Sequence, residues 1–132
     1  KNGSENITPV KPNTIAKSIA IGNPADGYYG IKTANTSGGY GEDISDEEVI
    51  AGMRLLAETE GIFTETAGGV TVGVTKKLVQ QGRIKTDEVT VICVTGNGLK
   101  TQEALANCLP TPQRIEPNID SLEEIFANGL LV

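Results

Sequence analysis

Val89–Lys100 reads VTVICVTGNGLK. Val89–Val94 is apolar on both faces, the pattern of a central parallel strand buried between layers. Asp87 and Glu88 precede it. Thr95-Gly96-Asn97-Gly98 follows at its carboxyl end, where ligands bind in open α/β sheets. Glycine there lets backbone come close to a ligand. Taken alone, the four residues read first as a tight strand-to-helix turn. They match neither the P-loop, which ends Gly-Lys-Ser/Thr, nor the G-x-G-x-x-G fingerprint.

Upstream, Ser45-Asp46-Glu47-Glu48 is a capping box. Val49, Met53 and Leu56 follow at helical spacing, so a helix is predicted over 46–60, ended by Gly61. Ile62-Phe63 reads as a short buried strand. A second helix is predicted over 66–81, with Val70, Val74 and Leu78 facing the core and Gly82 capping it. Gly68, Gly69 and Gly73 each cost such a helix roughly 1 kcal/mol against alanine. They suggest a close approach to a sheet or a ligand. Earlier still, 14–21 has helical spacing with Thr14 as N-cap, and Gly22-Asn23-Pro24 stops it. Residues 25–37 fit either a weak helix or a loop. Gly38-Gly39 is a break, and 40–44 reads as a short strand.

Downstream, 99–109 reads as another helix or part of one, broken by Pro110 and Pro112. Residues 121–127 read as a last helix with a Ser121–Glu124 capping box, closed by Gly129. The order of elements gives an α/β class: a three-layer αβα with a mostly parallel sheet. Residues 1–13 read as an extended arm, 14–109 as the body, and 110–132 as a tail with a short helix.

The formal net charge of −6 argues against nucleic acid and against anionic membrane surfaces. No run reaches the ~20 apolar residues of a membrane span. The two cysteines suit a reducing compartment, so a cytoplasmic location is expected. Cys93, inside the strand, is expected to be a buried thiol. The chain has no histidine, which removes Ser–His and Cys–His hydrolases and most zinc catalysis.

Three pieces in order are more specific than any one of them: ITPVKPNTIAKSIAIGNPA, SDEEVIAGMRLLAETEGIFTETAGG and VTVICVTGNGLK. Together, over about residues 7–106, they resemble the C-terminal portion of threonine synthases, within the type II pyridoxal-phosphate fold that includes tryptophan synthase β and threonine dehydratase. The resemblance implies an incomplete part of the large domain and pyridoxal phosphate as cofactor. It implies O-phosphohomoserine as small-molecule substrate, converted with water to threonine and phosphate. It also implies an N-terminal portion of the same protein as partner, and is compatible with a homodimer.

By that resemblance Thr95 places its hydroxyl against the pyridine nitrogen, with Gly96 beside it. A hydroxyl is too weak an acid to keep that nitrogen protonated, and shares one hydrogen bond worth about 1 kcal/mol. Glu65 lies near the ring in the resemblance, or else only complements a helix dipole. Gly22 and Asn23 line the far side of the cofactor, or are simply a helix stop. Cys93, Lys100 and the tyrosines are read as structural. The family's cofactor-linked lysine, in a Ser-Phe-Lys-Asp type segment, has no counterpart here. The glycine-rich phosphate loop is missing too, and Arg54, Arg83 and Arg114 are scattered. Residues 1–132 alone are therefore expected to be inactive. Two other readings stand: another type II lyase such as a dehydratase, and a stand-alone α/β module that binds a small molecule.

Overall fold

The centre of the fold is a pair of helices joined by a short loop, and local signals account for both. The computed structural model describes residue 4, residues 6–110 and residues 112–127. Four α-helices stand among them: α1 (Gly27–Ser37), α2 (Asp46–Glu60), α3 (Thr66–Gln80) and α4 (Ile119–Ala127). Single 3-10 turns occur at Lys17–Ile19, Gly98–Lys100 and Gln102–Ala104.

Helix α2 starts at the predicted capping box. The Glu48 N–H donates to Ser45 Oγ at 3.3 Å, and the Ser45 N–H donates to Glu48 Oε2 at 2.7 Å. Two otherwise orphaned donors are thereby satisfied. Gly61, at φ +66°, ends α2 in the left-handed conformation that a side chain disfavours. Helix α3 ends in a Schellman turn. There Gly82, at φ +68°, donates to Val79 O and Arg83 donates to Leu78 O, both at 2.9 Å.

The two helices run antiparallel in near backbone contact. A Cβ on Gly69 would stand 2.6 Å from both Val49 O and Met53 Cγ. One on Gly73 would stand 3.3 Å from Glu48 O. The glycine cost predicted for α3 therefore has a helical cause: α2, rather than a sheet, lies against it. Val49 and Met53 form the core with Leu105, and Ile15, Ile44, Ile50 and Val70 pack on it. Val72 is buried, whereas Val74 and Leu78 are only half-buried.

Several expected elements are absent. No strand forms among the described residues; the one bridge is antiparallel, between Thr64 and Asn97. Val89–Val94 has no regular structure and pairs with no strand among the described residues, with Val89 96% and Val91 82% exposed. A strand is made by its neighbours, and the described residues supply none. Cys93 is accordingly exposed instead of buried. Residues 40–44 form no strand either, and neither does Ile62-Phe63, where both side chains are exposed.

The helix expected over 14–21 shrinks to the turn at Lys17–Ile19. Thr14 Oγ1 donates instead to Asp46 Oδ1 at 2.6 Å, and the Ile15 N–H donates to the same oxygen at 3.0 Å. The helix expected over 99–109 is reduced to two 3-10 turns. Of the two readings for 25–37, the helix holds. Helix α4 begins earlier than its Ser121 signal, because Asn118 Oδ1 accepts the Ser121 N–H at 2.8 Å. Gly129 lies outside the described residues.

The hydrogen bonds from Thr14 and then Ile15 hold the Asp46 carboxyl below the usual carboxylate range. A depressed native value means this stabilisation is present at neutral pH and lost as pH falls through it. Asp46→Asn should cost about 1 kcal/mol at pH 7, a modest figure for a half-buried group. Thermal unfolding at pH 7 and at about pH 3 checks this. The gap between wild type and variant should narrow in acid.

Candidate functional site

The described residues build one polar cluster around the loop before α3. Glu65 stands just before that helix with extended backbone, at φ −70° and ψ 171°. The turn that follows Val89–Val94 folds back onto it. The Glu65 N–H donates to Gly96 O at 3.1 Å, and the Gly98 N–H donates to Phe63 O at 3.0 Å. Thr64 Oγ1 adds a donation to Gly96 O at 3.3 Å. One residue further on, Thr101 Oγ1 accepts the Thr66 N–H at 3.1 Å, satisfying a donor of the first turn of α3.

Both glycines of the turn are there because of crowding. A Cβ on Gly96 would run into the Glu65 carboxyl, and one on Gly98 would run into the Phe63 ring. Glu65 is only 4% exposed, so its charge needs a partner. That partner is Lys100, whose Nζ lies 3.4 Å from Glu65 Oε1 while the rest of the lysine reaches solvent. Thr66 is fully buried, and its Oγ1 has no hydrogen-bond partner.

The structure thus joins Glu65 to Gly96 directly and leaves Thr95 exposed at the rim. It does not bring Gly22 and Asn23 into this cluster by any hydrogen bond among the described residues. Gly22 is paired with Val10 instead: its carbonyl accepts the Val10 N–H at 2.9 Å. Asn23 is exposed. Lys100, read as structural from sequence, is the cation of the cluster, and Thr101 was missed. A base and a hydroxyl close the turn, but their partners lie 35 positions earlier, where no local pattern points.

A helix of at least 18 residues apolar enough to cross a membrane does not occur among the described residues. Nor do they hold three or more His, Cys, Asp or Glu placed to bind a metal.

Comparison with known proteins places the chain. Residues 1–96 match the model of a family described as pyridoxal-phosphate dependent enzyme. The chain is similar to a protein of Methanocaldococcus jannaschii named threonine synthase, 39% identical over 124 residues, covering 93% of this chain and 31% of that one. A threonine synthase of Bacillus sp. (strain ULM1) is 44% identical over 90 residues, 68% of this chain and 26% of its own. One of Mycobacterium tuberculosis (strain H37Rv) is 33% identical over 108 residues, 80% of this chain and 30% of its own. The chain therefore spans about a third of the length of these relatives. With the family match running through the strand-like segment into Thr95 and Gly96, the chain belongs to the pyridoxal-phosphate dependent enzymes, whose cofactor is pyridoxal phosphate.

Proposed function

We propose that these residues form the ring-edge side of the cofactor site in an enzyme that converts O-phosphohomoserine and water to threonine and phosphate. The observation that carries this reading is the docking of the Thr95–Gly98 turn onto Thr64–Glu65, which leaves Thr95 exposed beside Glu65 and Gly96. Similarity to several proteins named threonine synthase supports the reaction.

The donor set fits one part of pyridoxal phosphate. When bound, the cofactor supplies an electron sink for carbanions formed beside its ring. Thr95 would offer its nitrogen a neutral hydrogen bond, and Gly96 lets the turn lie against Glu65. Glu65, paired with Lys100, would stand near the same edge. Gly22 and Asn23 would meet the opposite side.

The set does not fit the cofactor's phosphate, which needs several cationic or N–H donors. The cation of this cluster, Lys100, is engaged by Glu65. Grip on the phosphate and the covalent bond to lysine belong to other residues of a complete enzyme, so residues 1–132 alone do not turn over. The exposed apolar run Val89–Val94 supports a place as a central strand of the three-layer domain spanning 14–109, with its neighbours supplied from outside these residues.

The test is an assay of a complete enzyme carrying this segment. Phosphate release from O-phosphohomoserine is expected, without release of ammonia from threonine. Ammonia from threonine alone would make it a dehydratase and end the proposal. In the same enzyme, Thr95→Val should cut kcat by roughly fivefold, the worth of one neutral hydrogen bond.

A further inference from the structure

Two consecutive residues after the glycine turn grip two consecutive residues at the start of α3. Lys100 Nζ lies 3.4 Å from Glu65 Oε1, and Thr101 Oγ1 accepts the Thr66 N–H at 3.1 Å. The turn is also pinned by its backbone. Gly96 O accepts from the Glu65 N–H and from Thr64 Oγ1, and the Gly98 N–H donates to Phe63 O. We propose that Lys100 is a positioning residue for the cofactor site: its ammonium holds the Glu65 carboxylate against Gly96 and so fixes the turn that carries Thr95. The proposal deepens the reading of Thr95 as a ring contact, and rests on it.

Glu65 is 4% exposed, and its carboxyl lies where a side chain on Gly96 would stand. Any movement of that carboxyl is therefore felt at the residue next to Thr95. The side chain of Lys100, by contrast, is 62% exposed. With its stem in water it has little packing to lose, so its effect passes through the acid it reaches. Thr101 is the opposite case. It is buried, and its bond to the first turn of α3 serves the helix itself.

Without Lys100 the Glu65 carboxylate would be a buried charge with no partner. Turning toward water, or drawing water in, would each take it off Gly96. The turn then loosens at Thr95. The contact of α2 with α3 is made elsewhere, by Val49, Met53 and Gly69, and stays in place.

Hydrogen exchange of the 132-residue chain reads this clamp without any cofactor. In Lys100→Met the Glu65 and Gly98 amides should exchange about tenfold faster, measured against the Met53 and Val72 amides inside α2 and α3. Lys100→Arg, which keeps the cation, should retain the original pattern. A merely structural loss would speed all four amides alike. In a complete enzyme, Lys100→Met should lower kcat about threefold to fivefold with KM changed less than about twofold. It should also alter the visible circular dichroism of bound pyridoxal phosphate. In a Thr95→Val background the same change should cost nothing further, because both act on one contact. If Lys100→Met does not fold, the double variant Glu65→Gln with Lys100→Met, which leaves no buried charge unpaired, replaces it in both arms.

No selective rise in exchange at Glu65 and Gly98, Lys100→Arg behaving as Lys100→Met, or an unchanged kcat would each overturn the proposal. So would a full additional loss in the Thr95→Val background. An unaltered enzyme that releases no phosphate, or a Thr95→Val variant with full activity, would instead end the cofactor reading. The exchange arm would then still decide whether Lys100 holds the turn through Glu65.

Discussion

Met53→Ala should lower the free energy of unfolding by about 2–4 kcal/mol, the largest loss expected from any single truncation in this chain. Met53 is 1% exposed and sits where α2, α3 and Leu105 meet. Truncation removes the transfer energy of the buried thioether chain and leaves a cavity. The cost depends on how far the surroundings can collapse into that cavity. Here they can move little, because Gly52, Gly69 and Gly73 already bring the two helix backbones together. For a domain whose total stability is of the order of 5–15 kcal/mol, such a loss is severe. Urea unfolding should show a lower midpoint with an unchanged slope. A loss under about 1 kcal/mol would mean that the core is not centred on this helix pair.

Gly69→Ala should destabilise by about 2 kcal/mol, against the direction of helix propensity. Alanine in a helix interior is favoured over glycine by about 1 kcal/mol. At Gly69 the new methyl would meet the Val49 carbonyl and Met53 Cγ, each at 2.6 Å. The carbonyl belongs to α2 and cannot swing aside, so overpacking outweighs propensity. Gly30→Ala in α1 is the matched control, since nothing lies within 4 Å of its Cβ position. It should gain up to about 1 kcal/mol. Opposite signs for the same substitution would isolate the helix contact as the cause; equal signs would refute it.

These contrasts show which parts of the fold were legible in the sequence. Helix α2 was read to the residue because its signals are local: Ser45 and Glu48 cap it and Gly61 ends it. The glycines of α3 announced a close approach, but a sequence does not say to what. Thr14 looked like an N-cap because its hydroxyl was assumed to act locally, whereas it reaches 32 residues ahead to Asp46. Val89–Val94 has strand composition, yet pairing is a property of neighbours, and its own sequence says nothing of where they are.

The site divides in the same way. The glycines of the Thr95–Gly98 turn marked it as a place of close approach. Its partner, the loop at Phe63–Thr66, is set by a bridge between positions far apart in sequence, which no local pattern encodes. Lys100 could not be assigned without that bridge, because its role exists only once Glu65 is buried beside it.

The central claim is that these residues carry the ring-edge half of a pyridoxal-phosphate site and not the lysine that holds the cofactor. Borohydride reduction after incubation with pyridoxal phosphate, followed by peptide mapping, tests it most directly. Lysines of the isolated chain should react in low yield and without preference for one position. One lysine labelled stoichiometrically, together with phosphate release from O-phosphohomoserine by the same preparation, would contradict the account.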